Sequence, residues 1–99
     1  MFKNKKIGVV VPAHNEERFI AGVIDTMPDF VDKIFVVNDA STDKTAGIID
    51  QKAKNNPRVV AIHRELNGGV GAAILSGHQE ALSQNMDIIA VMAGDGQMD

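Results

Sequence analysis

Residues 33–62 read KIFVVNDASTDKTAGIIDQKAKNNPRVVAI, and this stretch decides the fold. Two short apolar runs, Lys33 to Val37 and Arg58 to Ile62, are dense in Val and Ile and too short for buried helices, so they read as strands covered on both faces. Between them, Ser41 or Thr42 can cap a helix that carries Ala46, Ile49 and Ala53 and stops near Asn55-Asn56-Pro57. Strand, helix and strand with such short joints predict a parallel pair with a right-handed helical crossover.

The same alternation extends both ways. Toward the N-terminus lies a third apolar run, Lys6 to Val11, followed by Asn15 as a candidate cap. Glu16 and Glu17 then fill a first helical turn, and Phe19, Ile20, Val23, Ile24 and Met27 form one stripe before Pro28. Toward the C-terminus a third helix is predicted to open around Gly69 to Gly71 and run to about Gln84, and Asp87 to Met92 form a fourth strand. The order β-α-β-α-β-α-β predicts an α/β, Rossmann-like chain: a mostly parallel four-stranded sheet with helices on its faces, one unit over residues 1–99.

Composition agrees with one packed core. At 99 residues, roughly 65% of the unfolded surface can be buried. Apolar residues make up 44% and charged residues 23%, which excludes a disordered or fibrous chain. The net charge of -3 and four Phe without Trp or Tyr exclude the basic footprint and stacking platform of a nucleic-acid binder. No cysteine is present, so disulfides and thiolate metal sites are excluded. The basic MFKNKK precedes IGVVVPA, which Gly8 and Pro12 break, too short and strand-like for a signal peptide or a membrane span. A cytoplasmic chain, or the cytosolic part of a larger one, is expected.

Ligands of open parallel sheets gather at the carboxyl ends of the strands. Four segments therefore carry the candidate chemistry: PAHNEE (12–17), NDASTD (38–43), HRELNGGVGAA (63–73) and AGDGQMD (93–99). The first has no glycine and two acids, which excludes a G-x-G-x-x-G dinucleotide turn, and no P-loop pattern occurs anywhere. Asp39 can accept from a ribose hydroxyl or the imide N–H of a uracil-type base, or simply turn the chain. Gly68, Gly69 and Gly71 can open backbone N–H groups to a phosphate, or serve close packing of helix on sheet. Asp95 and Asp99 suit a hard cation carrying phosphates, or a polar surface loop.

Other residues read more simply. His14, His63 and His78 lack metal-ligand spacing and are expected to be solvated or at the core edge. Ser76 sits mid-helix rather than in a strained nucleophile elbow, which argues against a hydrolase triad. The five Met read as packing residues and Glu17 as a helix-dipole partner.

Taken together, the four strand ends resemble the nucleotide-sugar-binding domain of family 2 glycosyltransferases, polyprenyl- and dolichyl-phosphate sugar synthases among them. The P-x-x-N-E segment of that family is matched by Pro12-Ala13-His14-Asn15-Glu16, and its Asp followed by S-x-D-x-T by Asp39 and Ser41 to Thr45. Its N-x-G-x-G-A stretch is matched by Asn67 to Ala72, and its D-x-D-x-Q-x-D pattern by residues 93–99, with Ala93 in place of the first acid. The resemblance covers essentially the whole chain and implies a GT-A fold that binds an NDP-sugar of the UDP or GDP type across the strand ends. It implies that Pro12, Ala13 and Glu16 line the nucleoside pocket, that Asp39 contacts the base, and that Gly69, Gly71, Gly94 and Asp95 complete the donor site. Asp95 is then the ligand of a Mg²⁺ or Mn²⁺ ion, with Ala93 leaving it a single carboxylate.

On that resemblance the chain is expected to be the donor-binding part of a longer enzyme, with no catalytic base and no acceptor site of its own. The acceptor of the full-length enzyme is expected to be a polyprenyl phosphate, on the cytosolic face of a membrane. Self-association through an uncovered sheet edge is a further expectation. The competing readings are a non-catalytic nucleotide-binding module and a nucleotidyltransferase-like domain. The latter would favour a glycine-rich basic loop after the first strand, which PAHNEE is not.

Overall fold

The computed structural model describes residues 3–92. Four strands, β1 (Ile7–Ala13), β2 (Lys33–Asp39), β3 (Val59–Arg64) and β4 (Ile88–Val91), form one sheet in the order β3-β2-β1-β4. Every pairing is parallel. Helices α1 (Ile20–Asp25), α2 (Thr45–Asn55) and α3 (Gly69–Ser83) make the connections. Among the described residues no helix is long and apolar enough to cross a membrane.

Side chains alternate between the two faces, as the period of two demands. Ile7, Val9, Val11 and Ala13 of β1 join Ile34 and Val36 of β2 in a core that α1 and α2 close with Ile20, Ile24 and Ile49. Val10, Phe35 and Val37 point the other way, onto Ala73 and Ala81 of α3. That helix lies close because Gly77 has no side chain: a Cβ there would collide with Val10 and lie 3.1 Å from Val37.

The strand order places the switch point between β1 and β4, where the crossover direction reverses. In open parallel sheets the carboxyl ends of the strands at such a point are where ligands gather. Pro12 is tolerated in a central strand because it lies beyond the last β1 residue paired with β4. The Val10 carbonyl accepts from Met92, so Val10 and Pro12 both face β4, and the N–H that Pro12 lacks falls where β4 has already ended.

Two expectations need correction. The strands run further than the apolar runs suggested, to Ala13, Asp39 and Arg64, because the polar residues at their ends continue the ladder: Ala13 pairs with Asn38, and Asp39 with Arg64. The expected caps do not cap either. α1 starts at Ile20 after a turn in which the Phe19 and Ile20 amides donate to the Glu16 carbonyl, and neither α1 nor α2 has a side-chain cap from the residue before its first turn. Asn15, Ser41 and Thr42 are committed elsewhere, as described below.

β4 forms one edge of the described sheet. Ile88 and Val91 are 44% and 41% exposed, and an apolar hollow of about 230 Å³ lies beside them, lined by Ile7, Val9, Met27, Phe30 and Val91. Residues 93–99, which hold the expected Gly94 and Asp95, lie outside the described residues.

Candidate functional site at the strand ends

The loops that follow β1 and β2 are stitched together by side chains reaching across to backbone. Asn15, with φ 53°, accepts through Oδ1 from the Thr42 amide at 2.8 Å, while its own amide donates to Ser41 Oγ at 3.1 Å. The Glu16 amide donates to Thr45 Oγ1 at 2.8 Å, and the Glu17 amide to Asp43 Oδ2 at 3.4 Å. Asp43 Oδ1 in turn accepts from the Thr45 amide at 2.9 Å and from its hydroxyl. Burial disfavours the charge of Asp43, but the Thr45 hydroxyl and amide and the Glu17 amide outweigh it and hold its pKa below the usual aspartate value. The N-E and S-x-D-x-T segments therefore act first as a mutual brace.

Beside this brace lies Asp39, 3% exposed. Its Oδ1 accepts from Arg64 Nε at 3.0 Å and from the Gly68 amide at 3.2 Å, and its Oδ2 accepts from the Gly69 amide at 3.1 Å. Gly69 has φ 85°, a left-handed conformation that costs glycine nothing, and its amide also reaches Asn67 Oδ1 at 2.9 Å. The Asp39 carbonyl accepts from His14 Nδ1 at 2.6 Å, which makes Nδ1 the protonated nitrogen of that ring. Asn67 Nδ2 and Asn15 Nδ2 lie 3.5 and 3.4 Å from His14 Nε2.

On the opposite face, the buried Asn38 forms a second chain of bonds. Its Oδ1 accepts from the Ser41 amide at 3.1 Å, and its Nδ2 donates to His63 Nδ1 at 3.0 Å. His63 Nε2 then donates to Asp50 Oδ1 of α2 at 2.7 Å.

Of the residues named from sequence, Pro12 and Ala13 are buried at the end of β1, with Glu16 in the turn that follows. Asp39 ends β2, and Gly69 and Gly71 lie in the exposed first turn of α3. Asp39, Gly69 and the 14–16 segment meet at one rim. The Gly68 and Gly69 amides, read as candidate phosphate donors, here serve Asp39. Sequence reasoning missed Arg64. It read His14 and His63 as solvated or core-edge rings, and both are exposed at the strand ends, where each also bonds to the end of β2. The signal for Arg64 was available: as the last residue of β3 it has the parity of Ile62, which shares a face with Val37 and hence with Asp39. Among the described residues no cluster of three His, Cys, Asp or Glu could hold a metal ion.

Residues 8–99 match the family model described as Glycosyl transferase family 2. The chain belongs to that glycosyltransferase family. It is 34% identical over 107 residues to the UDP-N-acetylglucosamine–dolichyl-phosphate N-acetylglucosaminyltransferase of Methanococcus voltae, covering 95% of this chain and 43% of that relative. It is 29% identical over 93 residues to the undecaprenyl-phosphate mannosyltransferase of Micrococcus luteus, covering 92% and 38%. The chain thus spans less than half the length of these curated relatives.

Solved structures carry the same glycosyltransferase architecture. The mannosyltransferase PcManGT from Pyrobaculum calidifontis, in complex with GDP-Man and Mn²⁺, superposes with a TM-score of 0.83 over 95% of this chain and 28% of its own, at 22% identity, a likeness of fold. Residues 1–349 of S. aureus TarS in complex with UDP-GlcNAc superpose with a TM-score of 0.76 at 25% identity, over 91% of this chain and 26% of that one. The parallel sheet with its helices is therefore the Rossmann-like GT-A arrangement.

Proposed function

We propose that residues 1–99 form the donor-nucleotide-binding unit of a longer family 2 glycosyltransferase that transfers a sugar from an NDP-sugar to a polyprenyl phosphate at the cytosolic face of a membrane. One observation carries this reading: three of the four family motifs converge on a single rim around Asp39, at the carboxyl ends of adjacent parallel strands. Ala13, Pro12 and Glu16 form one wall of the nucleoside pocket, and Gly69 and Gly71 the other. Gly94 and Asp95, outside the described residues, are assigned to the same donor site from the sequence alone.

The chemistry of Asp39 sets a base preference. An ionised carboxylate accepts and never donates, so it suits the ring N–H of uracil or guanine, whereas adenine and cytosine can offer it only an exocyclic amino group. By count, Oδ1 already takes two donors and Oδ2 one, which leaves Oδ2 room for a further N–H. UDP- and GDP-sugars follow as the donor class. The relative from Methanococcus voltae is a UDP-N-acetylglucosamine enzyme, and PcManGT was solved with GDP-Man.

The leaving diphosphate gains negative charge as the sugar departs, and a divalent cation would neutralise it. The described residues do not build such a site, so the cation is proposed at Asp95 from the sequence and from the Mn²⁺ of the PcManGT complex. No step is derived through it. Transfer also requires an acceptor held in line, a task this reading leaves to residues outside these 99. The exposed β4 edge and its apolar hollow favour self-association of the isolated chain.

Calorimetric titration with UDP, GDP, ADP and CDP, with and without Mn²⁺, tests the reading. UDP or GDP is expected to bind, more tightly with Mn²⁺ and at least tenfold more tightly than ADP or CDP. Equal binding of all four would refute the base pocket, and robust sugar transfer by these 99 residues would refute the division of labour.

A further inference from the structure

The guanidinium of Arg64 is held at two points. Its Nε donates to Asp39 and its Nη1 donates to Ser76 Oγ at 2.6 Å. Ser76 belongs to α3, the helix that opens with Gly69. A serine side chain is short, and it reaches Arg64 only because the neighbouring Gly77 lets α3 settle onto Val10 and Val37. The third arm of the fork is confined as well: a Cβ on Gly68 would come within 2.6 Å of Arg64 Nη2. An arginine side chain has many rotamers to lose when it is held. With one anchor its planar head could pivot about the Nε to Asp39 bond; with two it cannot.

We propose that Ser76 is a positioning residue of the nucleotide cleft, acting through Arg64 to hold the Asp39 carboxylate in the orientation that receives the base. This rests on the reading of Asp39 as the base acceptor. Ser76 touches no ligand in this scheme. It accepts the hydrogen bond that locks the guanidinium plane, the guanidinium locks Oδ1, and the remaining acceptor position on Oδ2 is thereby aimed. Base recognition depends on that orientation, because a ring N–H weakens steeply as an acceptor rotates out of line. Diphosphate binding does not depend on it.

The test compares the wild-type chain with Ser76→Ala and Ser76→Thr, the second keeping a hydroxyl. Side-chain ¹⁵N spectra report the Arg64 Nε–H signal, and calorimetry reports affinity for UDP, GDP and inorganic diphosphate. Ser76→Ala should broaden or shift the Arg64 signal and weaken the bound nucleotide about tenfold, as expected for one lost hydrogen bond to a charged group. Diphosphate affinity should stay unchanged, and Ser76→Thr should restore both readouts to within about twofold. An Arg64 signal unmoved by Ser76→Ala overturns the proposal, with or without nucleotide present. So does an equal loss of nucleotide and diphosphate, which would mark general damage to the fold. If Ser76→Ala moves the Arg64 signal but the wild-type chain binds neither nucleotide, the base pocket itself is overturned, and with it the role of Ser76 in recognition.

Discussion

Asp39 and Arg64 stand opposite each other in register on adjacent parallel strands, and their side chains close a 3.0 Å ion pair beneath the loop that opens α3. The carboxylate is almost wholly buried, while the arginine side chain keeps 28% of its surface. Removing the acid therefore strands a half-buried cation and two loop amides. Asp39→Ala is expected to destabilise the chain by about 2–4 kcal/mol, near the lower part of the range for broken buried pairs because solvent still reaches Arg64. Asp39→Asn, which keeps one acceptor oxygen, should cost less. Urea denaturation measures both, and a cost below about 1 kcal/mol for the alanine variant would show the pair to be ornamental.

Thr45 is fully buried and serves two loops at once, donating to Asp43 and accepting from the Glu16 amide. Thr45→Val keeps the shape but leaves that amide unpaired, at an expected cost of about 1–3 kcal/mol. Thr45→Ser keeps the hydroxyl and should lose less. A valine variant as stable as wild type in thermal and chemical unfolding would mean that water replaces the bond.

Acid should loosen the same brace. The folded pKa of Asp43 lies below its unfolded value, so its contribution to stability is fully present above the unfolded value of about 3.9 and is lost as pH falls through the lower folded value. Unfolding free energy measured from pH 6 down to pH 3 should therefore fall most steeply below about pH 4. Asp43→Asn should flatten that fall. An unchanged slope in the asparagine variant would assign the acid sensitivity to other carboxylates.

Two glycines in helices should respond in opposite ways to the same substitution. Gly77→Ala drives a methyl into Val10 and is expected to cost about 1–3 kcal/mol by overpacking. Gly22→Ala in α1 meets nothing within 4 Å and should gain about 0.5–1 kcal/mol by removing backbone freedom from the unfolded chain. A Gly77→Ala variant that melts no lower than wild type would contradict the close approach of α3 to the sheet, and a Gly22→Ala variant that melts lower would contradict the open space around α1.

The alternation of elements was legible because it rests on period and punctuation. Runs of Val and Ile bounded by Pro57 and by Asn-rich or Gly-rich joints admit few other readings, and the parallel order follows from the crossover helices. The rim was partly legible for the same reason: polar residues directly after such strands have to lie together at one end of the sheet. Asp39, Gly69 and Glu16 were placed at that end in this way, whereas His14 and Asn15 were read as an edge histidine and a helix cap.

What those residues bond to was not legible. Asn15, Ser41 and Asp43 have the chemistry of helix caps, and a short polar side chain will serve any N–H within reach. From sequence the nearest N–H groups belong to each residue's own helix. In the folded chain the β1 and β2 loops lie side by side, and Asn15 serves Thr42, Ser41 serves Asn15, and Asp43 serves Glu17 as well as the Thr45 amide of its own helix. Arg64 shows the same limit more sharply, since its partners are 25 residues away on β2 and 12 residues away on α3. The sequence by itself determined which residues stand at the strand ends, because local periodicity decides where strands stop. Only the tertiary structure decided that Asp39 is held by Arg64, Gly68 and Gly69, because hydrogen-bond partners are chosen by distance in space, and register between strands sets that distance.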